Sequence, residues 1–109
     1  MISFDLKIEE KDNIPTIYLK GELDIHNSKS LDDTLQKLQN RNKIILNMKE
    51  MQYIDSTGLG TIAKNAKLLA KTNGEIIIHN SPSRVRKIFE ISGLHKKNIK
   101  LVDSEESVN

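Results

Sequence analysis

Cysteine is absent from the 109 residues, which excludes disulfides and thiolate metal sites and makes a cytoplasmic home the default expectation. Aromatic residues are nearly as scarce. Two Tyr, two Phe and no Trp are too few for a platform on which nucleic-acid bases could stack. No apolar run approaches the roughly 20 residues needed to cross a bilayer. The opening Met1-Ile2-Ser3-Phe4-Asp5 lacks the basic-then-apolar pattern of a secretory signal. A dominant charge sign is missing too: 17 Lys and Arg mix with 15 Asp and Glu, a net charge of +2. A dedicated nucleic-acid binder would concentrate positive charge on one face. There is no internal repeat, low-complexity tract or linker, so residues 1–109 are expected to form one domain with a modest single core.

What is present is a sequence of short periodic segments. Ile2, Phe4, Leu6 and Ile8 alternate with polar residues and predict a half-buried strand. Lys11-Asp12-Asn13 reads as a turn into a second strand over Ile14–Lys20, so the two make a hairpin. Gly21-Glu22-Leu23-Asp24 leads out of it. Asn27 or Ser28 then caps a helix carrying Leu31, Leu35 and Leu38 on one face, ended by Asn40-Arg41-Asn42. The continuous apolar run in Lys43–Asn47 predicts a buried strand, followed by Met48–Tyr53 as a short connector. After Ile54, apolar Leu59, Ile62, Ala63, Ala66, Leu69 and Ala70 fall on a single helical stripe, which reads as core and not as an exposed groove. Thr72-Asn73-Gly74 stops that helix, and Glu75–His79 predicts another buried strand. Ser81 as cap and Pro82 at the first helical position start a third helix with Val85, Ile88 and Phe89 inward, closed by Gly93. Asn98–Val102 is a last short strand. The expected fold is therefore α/β, a mixed sheet made of an N-terminal hairpin followed by parallel strands.

The most informative stretch is Asp55-Ser56-Thr57-Gly58-Leu59-Gly60, because it joins a strand pattern to a helix start. The first N–H groups of a helix lack intrahelical partners, and the helix dipole adds to their attraction for negative charge. Two glycines one turn in keep side-chain bulk away from the serine hydroxyl. A bare helix start carrying a hydroxyl is suited to handling by another protein.

Three segments together resemble the STAS domain, and within it the anti-sigma factor antagonists. The hexapeptide is similar to that family's phosphorylation loop residue for residue, Gly21-Glu22-Leu23-Asp24 matches its segment after the second strand, and Pro82, Val85, Ile88-Phe89 and Ser92-Gly93-Leu94 match its third helix. The resemblance implies a STAS fold with helices mainly on one face of the mixed sheet. It implies a cytoplasmic regulator that binds an anti-sigma factor and so frees a sigma factor. The anti-sigma factor would also be the ATP-dependent serine protein kinase that phosphorylates Ser56, with a metal-dependent phosphatase of the PP2C type reversing the mark. Asp24 aligns with an acidic interface residue, and Asp55, Thr57, Gly58 and Leu59 complete the implied partner surface. The family's terminal helix is represented only by the stub Asp103–Asn109.

Each of these residues also has a plainer reading. Asp55 and Ser56 are both good helix caps, Thr57 is either a second acceptor or a first-turn residue, and Asp24 could simply begin a turn. His26, His79 and His95 lack acidic partners at metal-ligand spacing and read as surface or loop residues, so neither metal nor cofactor is expected. A serine-hydrolase elbow is rejected because Ile54 stands two residues before Ser56 where a small residue is required, and a P-loop because no Lys follows the second glycine. Arg84, Arg86 and Lys87 either form a solvated face or meet an acidic partner. The protein is thus expected to be a binding module and not an enzyme. The alternative is a STAS scaffold in another assembly, such as a stress-signalling complex or a lipid-transport system.

Overall fold

The computed structural model describes residues 4–94 and 98–103. Its elements run β1 (Asp5–Lys11), β2 (Ile14–Leu23), α1 (Ser28–Lys37), β3 (Lys43–Ile54), α2 (Ser56–Ala70), β4 (Glu75–His79), α3 (Ser83–Ser92) and β5 (Ile99–Val102). The strands lie in one sheet in sequence order, β1 antiparallel to β2 and every later pair parallel. The hairpin closes through Asp12 and Asn13, both at positive φ (53° and 65°), the geometry of a two-residue turn whose twist matches the strands. Pro15 sits in β2 just before its pairing with β3 begins at Thr16, where its missing N–H leaves no gap in that ladder.

Three parallel crossovers of the same hand, each stepping to the next strand, carry their helices to one face. The core agrees: Ile17, Leu19, Ile44, Leu46, Ile76, Ile78 and Ile99 from the strands cluster with Leu31, Leu35, Ile62, Ala66, Leu69, Val85 and Phe89 from all three helices. The expected mixed α/β architecture is therefore present. Of the terminal stub only Asp103 is described; residues 104–109, and also His95, Lys96 and Lys97, lie outside the described residues.

Several local expectations are corrected. Met48–Tyr53 is not a connector but the second half of β3. Two register shifts against β2, between Tyr18 and Lys20 and between Gly21 and Glu22, each give β3 one extra residue. Each extra residue turns the strand over, so buried Met48, Met51 and Ile54 recur every third position, a spacing that suggests neither strand nor helix. For the same reason Gly21-Glu22-Leu23 stays in β2, with Gly21 at φ 96° supplying a left-handed conformation beside the second shift. Pro82, in extended conformation, is itself the cap residue of α3: its carbonyl accepts from the Arg86 N–H at 2.8 Å, and the helix starts one residue later than expected, at Ser83. Asn27 is the cap residue of α1, but its side chain makes no capping bond.

His79 is buried, not a surface or loop residue, because it continues the inward run of β4. The α2 stripe is core at Ile62, Ala66 and Leu69. Ala63 is only half-buried and Ala70 is exposed, and with Gly60, Lys64, Lys67, Leu94, Asn98 and Ile99 they line a groove of about 580 Å³ where none was expected. Arg86 is half-buried and pairs with Glu90 at 3.4 Å and with Asp103, whereas Arg84 and Lys87 are exposed.

One polar side chain inside the helix layer fixes how α1 meets α2. Asn65 is fully buried. Its amide donates to Asp32 Oδ1 at 2.8 Å and to the Thr61 carbonyl at 2.9 Å, and its Oδ1 accepts from Gln36 and Gln39 at 3.1 and 3.2 Å. Both ends of the amide are satisfied, as burial requires. The Asn65 bond, reinforced by Lys64, holds the Asp32 carboxyl below its ordinary pKa. A carboxylate whose pKa falls on folding stabilises the protein above its unfolded value, about 3.9, and loses that contribution as pH drops through the lower folded value. Asp32→Asn is therefore expected to lower the Tm by a few degrees at pH 7 and by progressively less toward pH ~3. Melting curves at both pH values check this, and a gap undiminished at low pH would contradict it.

Candidate functional site

Parallel β2 and β3 end together at Leu23 and Ile54, and the chain leaves both strands on the same edge of the sheet. The Asp55 N–H donates to the Leu23 carbonyl at 3.0 Å, holding the two exits side by side. Asp55 then takes the cap position of α2 in extended conformation. Its Oδ1 accepts from the Gly58 N–H at 2.9 Å and its carbonyl accepts from the Leu59 N–H at 2.9 Å. Ser56 and Thr57 occupy the first two helical positions and are exposed, whereas Gly58 is buried and Leu59 half-buried.

Capping thus belongs to Asp55. The Ser56 hydroxyl makes no hydrogen bond to any described residue, and the same holds for Thr57 Oγ1 and for the backbone N–H groups of both. An oxyanion attached at Ser56 would find two free N–H donors and the positive end of a 15-residue helix. Gly58 is glycine for a spatial reason. A Cβ there would lie 2.7 Å from Leu23 Cγ and 3.0 Å from the Leu23 carbonyl oxygen. The helix start therefore presses directly onto the end of β2.

On the β2 side, Asp24 opens a tight turn. The N–H groups of Asn27 and Ser28 donate to its carbonyl at 3.2 and 2.9 Å, and its Oδ1 accepts from the His26 N–H at 2.9 Å. Asn27 answers across the turn, accepting from the Asp24 N–H at 2.9 Å and donating to the Glu22 carbonyl at 2.8 Å. Asp24 is half-buried and sits next to Leu23, whose carbonyl holds Asp55. The structure thus gathers Asp24, Asp55, Ser56 and Thr57 at one sheet edge, with Gly58 and Leu59 just inside.

Four further residues belong to this edge and carried no functional reading in the sequence. Leu23 is the contact on which α2 rests. Asn27 holds the cap position of α1, but its side chain ties the turn together and makes no capping bond. Ile25 and Tyr53 are 68% and 48% exposed, both large apolar side chains facing solvent. The available signal was an isoleucine inside a turn, a place usually taken by polar residues.

Fold and site together define a small α/β domain that displays an unengaged hydroxyl at a helix start beside two carboxylates. Residues 5–108 match the STAS domain. The anti-sigma-B factor antagonist of Listeria monocytogenes is 32% identical over 95 residues, covering 85% of this chain and 82% of that protein. SpoIIAA, an anti-sigma factor antagonist solved in its unphosphorylated form, is 27% identical and superposes with a TM-score of 0.78 over 97% of this chain and 93% of its own. The phosphorylated form of Bacillus SpoIIAA matches with a TM-score of 0.73 at 26% identity, over 97% and 96% of the two chains. The chain belongs to the STAS domain family.

Two substitutions test how the site is supported. Gly58→Ala forces a methyl into Leu23 and is expected to lower stability by about 1–3 kcal/mol. Asn27→Ala removes two side-chain bonds of the Asp24 turn and is expected to lower it by about 1–2 kcal/mol. Denaturant titration measures both, and a neutral Gly58→Ala would show that α2 does not rest on Leu23.

Proposed function

We propose that this chain is an anti-sigma factor antagonist whose partner binding is switched off by phosphorylation of Ser56. One observation carries the reading: Asp55 caps α2, so the exposed Ser56 hydroxyl has no structural task among the described residues. Thr57 is equally exposed, and the match to the family's phosphorylation loop favours Ser56. Asp24, Asp55, Thr57, Gly58 and Leu59 surround it as the partner surface. The partner is an anti-sigma factor, in keeping with the names of the relatives. Its finer identity in this proposal is a serine protein kinase, opposed by a PP2C-type phosphatase, with the exchange taking place in the cytoplasm. The chain itself acts as binding module and phosphoacceptor, without catalysis of its own.

The physical account of the switch is local. A phosphate on Ser56 adds about −1.5 to −2 charges and three strong acceptors at neutral pH. The free Ser56 and Thr57 N–H groups and the helix dipole accommodate it, so the fold has no reason to rearrange. A kinase must bring its nucleotide phosphates up to this serine, and a dianion already there repels them and obstructs close contact. A loss of ~3 kcal/mol weakens affinity by roughly a hundredfold, enough for partner exchange.

The test is calorimetric titration of the anti-sigma factor from the same genome with wild type, Ser56→Ala and Ser56→Asp. Wild type and Ser56→Ala are expected to bind alike, and Ser56→Asp at least about a hundredfold more weakly. Incubation with that factor and ATP is expected to label wild type and not Ser56→Ala. Equal binding of all three, without labelling, would contradict the switch and favour a scaffold role for the domain in another assembly.

A further inference from the structure

Large apolar side chains at least 40% exposed are few among the described residues: Ile8, Tyr18, Ile25, Tyr53 and Ile91. Isolated ones are ordinary on protein surfaces. Ile8 and Tyr18 lie in the β1–β2 hairpin, and Ile91 stands near the end of α3. Ile25 and Tyr53 differ because both flank the phosphoacceptor edge. Tyr53 is three residues from Ser56, so their Cα atoms are at most about 11 Å apart. Ile25 is two residues beyond Leu23, whose carbonyl is hydrogen-bonded to Asp55.

We propose that Ile25 and Tyr53 are the apolar anchors of the anti-sigma factor interface, with Ile25 entering an apolar pocket of that partner. The inference rests on the function proposed above and adds where the affinity comes from. A specific interface covers about 800 Å² on each partner, a patch roughly 16 Å in radius. A footprint of that radius centred on the Ser56 hydroxyl is wide enough to take in Tyr53, at most about 11 Å away between Cα atoms, and the Asp24 turn tied to Asp55 through Leu23. Hydroxyl and carboxylate groups there set register and switching, but they contribute little affinity, since each must give up water on contact. Apolar area supplies that affinity, and this edge displays it in two side chains.

The Asp24–Asn27 turn also prepares Ile25 for the role. Five hydrogen bonds fasten it, among them the Asn27 side-chain bonds to the Asp24 N–H and the Glu22 carbonyl. Little loop entropy is then lost on docking. Isoleucine is stiff at χ1 and tyrosine has two side-chain torsions, so ordering them is cheap for the area they cover. A fastened turn that presents a β-branched apolar residue to solvent gains nothing for folding from that residue. Its use is in contact with a partner.

The experiment measures binding of the purified anti-sigma factor from the same genome to wild type, Ile25→Ala, Tyr53→Ala, Ile91→Ala and Ser56→Asp. Both anchor variants are expected to weaken binding about tenfold or more, and Ile91→Ala, the more exposed control, by less than about twofold. Thermal melts are expected to stay close to wild type for all of them, since the side chains face solvent. If wild type binds and Ser56→Asp does not, yet both anchor variants bind within about twofold of wild type, the anchors are overturned and the switch stands. If wild type itself fails to bind, the proposed function falls and this inference with it. A loss equal to theirs in Ile91→Ala, or sedimentation showing that Ile25 and Tyr53 hold two copies of the chain together, would also overturn it.

Discussion

One backbone hydrogen bond, from the Asp55 N–H to the Leu23 carbonyl, fixes the geometry on which the site depends. It ties the exits of two parallel strands, so that one leads into the Asp24 turn and the other into α2. The bond is effective because β2 and β3 stay paired up to Leu23 and Ile54, which in turn requires the two bulges that let β3 keep pace with β2. Gly58 completes the joint, since any larger residue would drive α2 off Leu23. Ser56 is exposed not because the helix start is loose, but because its neighbours on both sides are fixed.

That rigidity bears on how a charge at Ser56 can act. The helix behind it is pinned to α1 by a satisfied buried amide, Asn65, and to the sheet by Ile62, Ala66 and Leu69. A packed core shifts between discrete arrangements more readily than it deforms by degrees, and the described residues around Ser56 are held by the Asp55 cap, the Leu23 contact and the buried Asn65 amide. A phosphate at Ser56, as proposed, would meet free N–H groups on its own side and obstruct a partner on the other. The switch proposed for Ser56 would therefore act at the interface, with no rearrangement of the domain behind it.

Much of this was legible in the residues. The hairpin could be read from alternation around Asp12-Asn13, the parallel strands from apolar runs such as Ile76-Ile77-Ile78, and the helix start from the hexapeptide. Bulges hid the second half of β3, because they replace a period of two with buried residues three apart at Met48, Met51 and Ile54. His79 escaped for a related reason: a histidine at a strand end looks like the start of a loop, and only the packing shows it buried. In the site, spacing could mark Ser56 but could not decide whether it or Asp55 caps the helix. That depends on ψ at one residue. Ile25 offered only the weak signal of an isoleucine in a turn and Tyr53 offered none, since an apolar residue in a sequence predicts burial and only the folded edge shows these two facing water.

The most direct test of the account is a comparison of amide NMR spectra of isotopically labelled protein before and after stoichiometric phosphorylation of Ser56. An interface switch predicts shifts confined to the Asp24 turn, the end of β3 and the first turns of α2, with β4, α3 and β5 unmoved. Shifts spread through α3 and the far strands would contradict it and make the switch a rearrangement of the fold.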